Sequence, residues 1–265
     1  MLPPSPSECC CFKNRGGVDF SLNLFSAGFA KNFNIFFVLF CLSNKLYLWY
    51  IFFMKEKIKI AVLVSGSGTN LQALIDYEKN TENCPYQIEI VIADTKKAYA
   101  LERAQNAGIK TKIVSPFAVL GEQKAKTVSK EEKRIAISDA ALNAAKESGC
   151  DAIVLAGWLT VLSGKIIQEY SGKIVNLHPA LLPKFGGVGM WGHNVHEAVL
   201  AAGEKESGCT VHLVDSGCDT GKILVQKKVP VMPGDTPETL YARIAPQEHQ
   251  AMVEGVCQLA EMLSK

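Results

Sequence analysis

From Ile58 onward, short and largely apolar runs alternate with longer stretches in which apolar residues recur every three or four positions. Ile58–Val64 (I-K-I-A-V-L-V) is bounded by turn residues and predicts a buried strand. It runs into the Gly-rich turn S-G-S-G-T-N at 65–70, and residues 71–75 then take on helical character. The same alternation predicts a strand over 88–93, a helix over 98–107 stopped at Gly108, and a third strand over 112–114. A long helix over 129–148 ends at Gly149 and is followed by a buried strand over 151–156. A short helix over 166–170 leads to a strand over 173–178, and a helix containing Glu197 ends near Ala202. Strands over 209–214 and 223–229 flank a tight acidic connection, which predicts an antiparallel hairpin. Thr236-Pro237-Glu238 opens a last helix in capping order, running to Met262. The predicted class is α/β: a Rossmann-like, mostly parallel sheet with helices on both faces and an antiparallel hairpin added in the C-terminal part.

The first 53 residues break this pattern. Ten of the twelve Phe lie there, with four of the nine Cys, and Glu8 and Asp19 are the only acids. Two apolar runs, 35–42 and 46–54, are split by Ser43-Asn44-Lys45, and a Lys near the middle makes membrane insertion costly. No short basic start leads into a single apolar core, so a signal peptide is not indicated. Three readings stand for this N-terminal extension. It is a disordered segment upstream of a working protein that starts at Met54, an organelle-targeting leader, or a membrane anchor. Residues 54–265 are read as the working domain.

Composition narrows the class further. The chain has 265 residues, a formal net charge of +2 and 20% charged residues, as an ordinary soluble protein does. So small a net charge gives no electrostatic case for nucleic-acid binding. Cys9, Cys10 and Cys11 are adjacent, and Cys84, Cys150, Cys209, Cys218 and Cys257 lack metal-ligand spacing, so reduced, mostly buried thiols are expected.

The chemistry concentrates at the end of the strand over 173–178. Residues two apart on a strand share a face, so Asn176 and His178 point into one space, and Pro179 stops the strand just beyond them. Strand ends of open α/β sheets are where ligands bind. A carboxamide beside an imidazole suits a reaction that builds an oxyanion and moves a proton. The turn at 65–70 offers backbone N–H groups to a phosphate, with Thr69 or Asn70 as helix cap; a plain strand-to-helix turn is the competing reading. The loop 157–163 is apolar for a strand end, so Trp158 and Leu159 either cover the core or wall a pocket for a flat aromatic ligand. Glycines beside aromatics at 184–192 suggest a mobile loop or a close backbone approach to ligand. His193, His196 and Glu197 lack metalloprotease spacing and are read as surface or capping residues, with no metal expected. Asp215 and Asp219 are turn residues, one of which can reach a histidine at the neighbouring strand end.

Five stretches in this order carry a family resemblance: V-S-G-S-G-T-N-L-Q-A-L at 64–74, L-A-G-W-L at 155–159, I-V-N-L-H-P-A-L-L-P-K at 174–184, H-L-V-D-S-G-C-D-T-G at 212–221 and Q-E-H at 247–249. From Lys57 to the C-terminus the chain resembles the glycinamide ribonucleotide formyltransferases, folate-dependent enzymes of purine synthesis. The resemblance implies transfer of the formyl group of 10-formyltetrahydrofolate, as co-substrate, to the amine of 5-phosphoribosylglycinamide. It places Asn176, His178 and Asp219 on catalytic positions, and Gly68, Thr69 and Asn70 on the phosphate loop. Glu248 falls on a carboxylate that holds the glycinamide. Leu159, Thr160, Val161 and Leu162 fall on the folate wall, beside Asn176, and Lys130 falls where the family has an Arg contacting folate.

Two departures accompany these matches. The loop after Lys184 is longer and richer in Gly than the common form, and Lys at 130 keeps charge without a bidentate fork. A formyltetrahydrofolate hydrolase, a formyltransferase acting on methionyl-tRNA and a non-catalytic folate- or nucleotide-binding module are the alternatives. The small-phosphate turn, the lack of a basic C-terminal domain and the intact catalytic trio weigh against them. Small-molecule partners and a cytoplasmic location are expected, with an organelle left open by residues 1–53. Membrane contact is expected only through those residues, and a homodimer is also left open.

Overall fold

The computed structural model describes residues 56–264 and, before them, the backbone of residues 11–12, 20–23, 37–42 and 45–50. The chain divides into two units, Met1–Lys55 and Glu56–Lys265. In the first, strands Cys11–Phe12, Phe20–Asn23, Phe37–Leu42 and Lys45–Tyr50 pair antiparallel in chain order. The remaining expectations for residues 1–53 lie outside the described residues.

In the second unit, β1 (Ile58–Val64), β2 (Tyr86–Ala93), β3 (Lys110–Ile113), β4 (Ala152–Leu155), β5 (Ile174–His178), β6 (Glu206–Leu213) and β7 (Ile223–Pro230) form one seven-stranded sheet. Its order is β7-β6-β5-β4-β1-β2-β3. Pairings from β3 across to β5 are parallel, whereas β6 runs antiparallel to both β5 and β7. The helices are α1 (Thr69–Asn80), α2 (Ala100–Asn106), α3 (Pro116–Leu120), α4 (Glu122–Thr127), α5 (Lys130–Glu147), α6 (Lys165–Glu169), α7 (His193–Ala201) and α8 (Pro237–Leu263). The expected class is the observed one.

Alternation along β1 divides the core. Ile60, Val62 and Val64 face one side, where Leu71 and Leu74 of α1 and Met252 and Val256 of α8 meet them. Ala61 and Leu63 face the other, against Ile137 and Ala141 of α5 and Ile166 of α6. Each of the large side chains buried this way contributes about 1.5–3 kcal/mol. A one-residue bulge in β2 keeps both faces apolar past a charge. Ile60 pairs with Ile88 and Ala61 with Ile90, so Glu89 is the extra residue. Its carboxylate turns to Lys110 at 2.8 Å.

Element bounds moved where apolar content was a poor guide. β3, at the sheet edge, starts at Lys110 rather than 112, because its register with β2 (Ile90 with Lys110, Ile92 with Lys112) is set by backbone pairing. Helices α3 and α4 were not anticipated. Ser115 caps α3 by accepting from the N–H of Ala118, Pro116 occupies its first position, and Gly121 separates the two.

Candidate active site

β5 delivers both polar residues to the C-terminal end of the parallel strands. Antiparallel pairing sets Asn176 opposite His212 and His178 opposite Thr210 on β6. The Asn176 amide nitrogen lies 3.2 Å from Nε2 of His212, and Nδ1 of His212 lies 2.9 Å from the carbonyl of Leu213. A carbonyl only accepts, so Nδ1 of His212 carries a proton, and with Nε2 unprotonated the ring accepts from Asn176; the same Nε2 also lies 3.5 Å from Oδ1 of Asp219. One N–H of the Asn176 amide is thereby held, and its direction fixes the other. His212 is the functional residue the sequence reading passed over.

His178 is buried, 3% exposed. Its Nε2 donates to the Phe185 carbonyl at 2.7 Å, while Nδ1 stands 3.5 Å from Oδ2 of Asp219. That separation is an ion-pair approach, longer than a charge-assisted hydrogen bond. Burial pulls the His178 pKa below its ordinary value; Asp219 and the Phe185 carbonyl push it up without overcoming burial, and His212 lowers it further. Asp219 is the turn residue that reaches the histidine; it favours the protonated ring against a larger opposing effect. Burial raises the carboxyl of Asp219 itself. The approach of His212 at 3.5 Å, the Gly187 N–H at 2.9 Å and the nearby His178 outweigh that and leave it below the usual range.

Asp219 reaches this place through left-handed backbone, with φ of 58°, and Phe185 takes φ of 56°. Gly186 lets the two loops close on each other: a Cβ there would lie 2.6 Å from Leu182 Cδ2 and 3.2 Å from Asp219 Cβ. Asp215 serves its own turn, accepting from the N–H of Gly217 and the hydroxyl of Thr220.

At one end of the site, α1 starts with Gly68 as its cap and no side-chain cap hydrogen bond, correcting the expectation that Thr69 or Asn70 would cap it. Gly68 has φ of 73°, and a Cβ there would meet that of Ala100 at 2.5 Å. An uncapped helix start leaves its N–H groups free for an anion. Asn70 is 8% exposed; its amide nitrogen reaches Oε2 of Glu248 at 3.4 Å, and its Oδ1 has no partner. Glu248, 5% exposed on α8, is pushed by burial up to about 7, with the Asn70 hydrogen bond acting the other way.

Asn70, Asn176, His178, His212, Asp219 and Glu248 line one cleft of about 1270 Å³, whereas Gly68 and Thr69 are not among its lining residues. Trp158, Leu159, Thr160, Val161 and Leu162 also line it. Trp158 is buried in the core, as the first reading of that loop had it, and Leu159 is 61% exposed. Asp94 ties this loop to the turn at 65–70, accepting from Ser65 Oγ and Thr160 Oγ1, while Ser65 Oγ accepts from the Leu159 N–H.

Two expectations move. Lys130 does not line the cleft; Arg134, one turn later on α5, does. Ser129 and Glu132 form a capping box that leaves Lys130 exposed at the first helical position. The Nε of Arg134 is buried without a partner, and Nη1 approaches Glu131 at 3.3 Å. His196, read as a surface or capping residue, is 3% exposed and packs against Tyr241 of α8 with ring centroids 5.7 Å apart. His193 is exposed at the start of α7, between Glu197 at 3.1 Å and Glu238 at 3.6 Å. Among the described residues no group of three or more His, Cys, Asp and Glu side chains could hold a metal ion.

Fold and cleft together define a Rossmann-like α/β protein whose cleft brings an Asn-His-Asp cluster together with Asn70 of the α1 start and an apolar loop. The chain belongs to the formyl transferase family, which matches residues 58–256. The phosphoribosylglycinamide formyltransferase of Haemophilus influenzae is 38% identical over 192 residues, covering 72% of this chain and 82% of that protein. The trifunctional purine biosynthetic protein adenosine-3 of Drosophila pseudoobscura pseudoobscura is 40% identical over 204 residues, 76% of this chain but only 14% of that protein's length. Glycinamide ribonucleotide transformylase 1 from Symbiobacterium toebii superposes with a TM-score of 0.67 at 35% identity, covering 82% of this chain and 92% of that one.

Proposed function

We propose that this chain transfers the formyl group of 10-formyltetrahydrofolate to the amine of 5-phosphoribosylglycinamide in de novo purine biosynthesis. The observation that carries the reading is the convergence of Asn176, His178 and Asp219 in a single cleft. Asn70, beside the uncapped start of α1, and an apolar loop line the same cleft, which suits a phosphorylated acceptor and a flat pterin donor.

In this reaction the acceptor amine attacks the formyl carbon, the bond from that carbon to N10 breaks, and one proton passes from the amine to N10. Charge builds on the formyl oxygen on the way. Asn176, oriented by His212, donates its second amide N–H to that oxygen; one such donor contributes about 3 kcal/mol. His178 relays the proton. Its lowered pKa keeps the ring neutral and able to accept at physiological pH, and Asp219 steadies the imidazolium once it forms. To accept at Nε2 the neutral ring must carry its own proton on Nδ1, facing Asp219, and release the Nε2 bond to the Phe185 carbonyl. Glu248 and Asn70 hold the glycinamide, and Gly68, Thr69 and Asn70 hold its phosphate. Leu159, Thr160, Val161 and Leu162 bed the pterin, and Arg134 replaces Lys130 as the cation for the glutamate carboxylates.

No helix among the described residues is long and apolar enough to cross a membrane. Cys84, Cys150, Cys209, Cys218 and Cys257 are free thiols, in keeping with a reducing compartment, and the cytoplasm is the location assigned here. The working domain is taken to begin at Met54.

The deciding experiment incubates purified protein with 10-formyltetrahydrofolate, with and without phosphoribosylglycinamide. Tetrahydrofolate release that depends on the acceptor, with formylated product by mass spectrometry, is the expected result. Release at the same rate without acceptor would make the protein a hydrolase.

A further inference from the structure

The turn between β1 and α1 is held by a residue outside it. Arg103 on α2 donates from Nε to the Ser67 carbonyl at 2.9 Å and from Nη1 to the side-chain carbonyl of Gln72 at 3.1 Å. Gln72 is itself oriented, because its amide nitrogen donates to Asp76 at 2.8 Å, which turns its oxygen toward Arg103. The guanidinium lies 5.0 Å over the ring of Tyr99, one turn back on the same side of the helix.

In a trans peptide the C=O and the following N–H point in opposite directions. A carbonyl held from one side therefore commits the next N–H to the other. Three successive carbonyls of the turn are held. Gly66 accepts from the N–H of Ala100 at 3.1 Å, Ser67 from Arg103, and Gly68 from the N–H of Gln72 at 2.9 Å. The N–H groups committed by these bonds are those of Ser67, Gly68 and Thr69, and none has a partner among the described residues. Successive free N–H groups of this kind make an anion-binding concavity. Two of the three carbonyls are held by backbone; only the Ser67 carbonyl is held by a side chain.

We propose that Arg103 is a positioning residue for the acceptor's phosphate. It fixes the Ser67–Gly68 peptide so that the Gly68 N–H faces the anion, and it ties α2 to α1 across the turn. The inference rests on the reading of this turn as the phosphate subsite. Arginine suits the task where lysine does not, since its planar fork reaches two fixed acceptors at once and stacks on Tyr99. The guanidinium also places a positive charge beside the turn, which favours a dianion there.

The test uses the full chain, with ribose 5-phosphate as calorimetric probe and phosphoribosylglycinamide as substrate. Arg103→Met is expected to weaken ribose 5-phosphate binding about tenfold and to raise KM for the phosphorylated acceptor by the same factor. Its kcat and its KM for the formyl donor stay within about twofold, and Arg103→Lys recovers only part of the loss. Glycinamide riboside, which lacks the phosphate, is used equally by the two proteins. Where Arg103→Met fails to fold, Gln72→Leu, which removes one anchor of the guanidinium, carries the same test with about a threefold loss. Unchanged ribose 5-phosphate affinity in a folded variant overturns the proposal, and so does an equal loss on the riboside. Wild-type protein that binds ribose 5-phosphate but transfers no formyl group sinks the functional reading and leaves the clamp standing. Wild-type protein that transfers the formyl group without measurable affinity for the phosphate sinks the clamp alone.

Discussion

The side-chain nitrogen of Asn176 and Nε2 of His212 sit 3.2 Å apart across the β5–β6 pairing, and with Nδ1 donating to the Leu213 carbonyl the unprotonated Nε2 is the acceptor. A flexible carboxamide is thus turned into a fixed donor. His212→Leu should lower kcat about 10- to 100-fold with little change in either KM, since an oxyanion donor acts in the transition state. His212→Gln, which can accept from the same amide, should recover part of the rate. Steady-state kinetics on the three proteins check this; a loss confined to KM would place His212 in substrate binding instead.

His178 and Asp219 set the pH dependence. Because the neutral imidazole accepts the proton, activity falls on the acid side as His178 becomes charged. Asp219 raises the His178 pKa, so Asp219→Asn removes that support and the acid limb of the kcat/KM profile moves to lower pH. The plateau rate falls as well, for want of the counter-charge to the imidazolium. His178→Ala should lose most turnover while ribose 5-phosphate binding, measured by calorimetry, is retained.

Glu248 couples stability to substrate. Its folded pKa of about 7 lies above the ordinary carboxyl value of 4.5, so the folded chain holds more protons between those limits. The stability this confers is complete below pH 4.5 and lost as pH rises through 7, an effect on the order of 3 kcal/mol. Glu248→Gln lacks the loss and should melt higher than wild type at pH 8, while its KM for the acceptor rises. Denaturant midpoints at pH 5 and pH 8 for both proteins provide the check.

The depressed histidines act in the opposite sense. His178, His196 and His249 are all lowered, with burial the largest cause in each. The unfolded chain binds their protons first, so stability falls as pH drops below about 6.5. Below about pH 6.5 the histidines thus oppose the trend set by Glu248, so melting temperatures across pH 5 to 8 should rise with pH more steeply in Glu248→Gln than in wild type.

Arg134 and Lys130 separate cleanly. Arg134→Ala should raise KM for the formyl donor about tenfold through loss of a charge-assisted contact, whereas Lys130→Ala leaves it within about twofold. Comparable effects from both would return Lys130 to the site.

Much of this was legible beforehand, for physical reasons. Apolar runs fix buried strands, so β1, β4 and β5 stood out, and Asn176 and His178 share a face by strand geometry alone. What local patterns do not carry is the partner of each strand. His212 looked like one more position in an alternating strand, because only the register with β5 sets it opposite Asn176. Thr210, fully buried on the same face, was the available hint that this side of β6 meets polar company. Lys130 failed on a related count: a capping box fixes where α5 starts, but which turn of it borders the cleft depends on packing against the loop at 157–163. His196 was misjudged because a short helix with two histidines reads as solvent-facing until α8 covers it.

The two outer strands of the sheet bear on how copies of this chain can meet. β3 carries Lys110 and Lys112, and β7 carries Lys227 and Lys228 and ends in Pro230. Laying one edge against another would crowd lysines at β3 and meet a residue with no N–H to give at the end of β7, so both margins disfavour self-association by strand addition. The same features make the sheet edges poor templates for an unfolding copy to grow on.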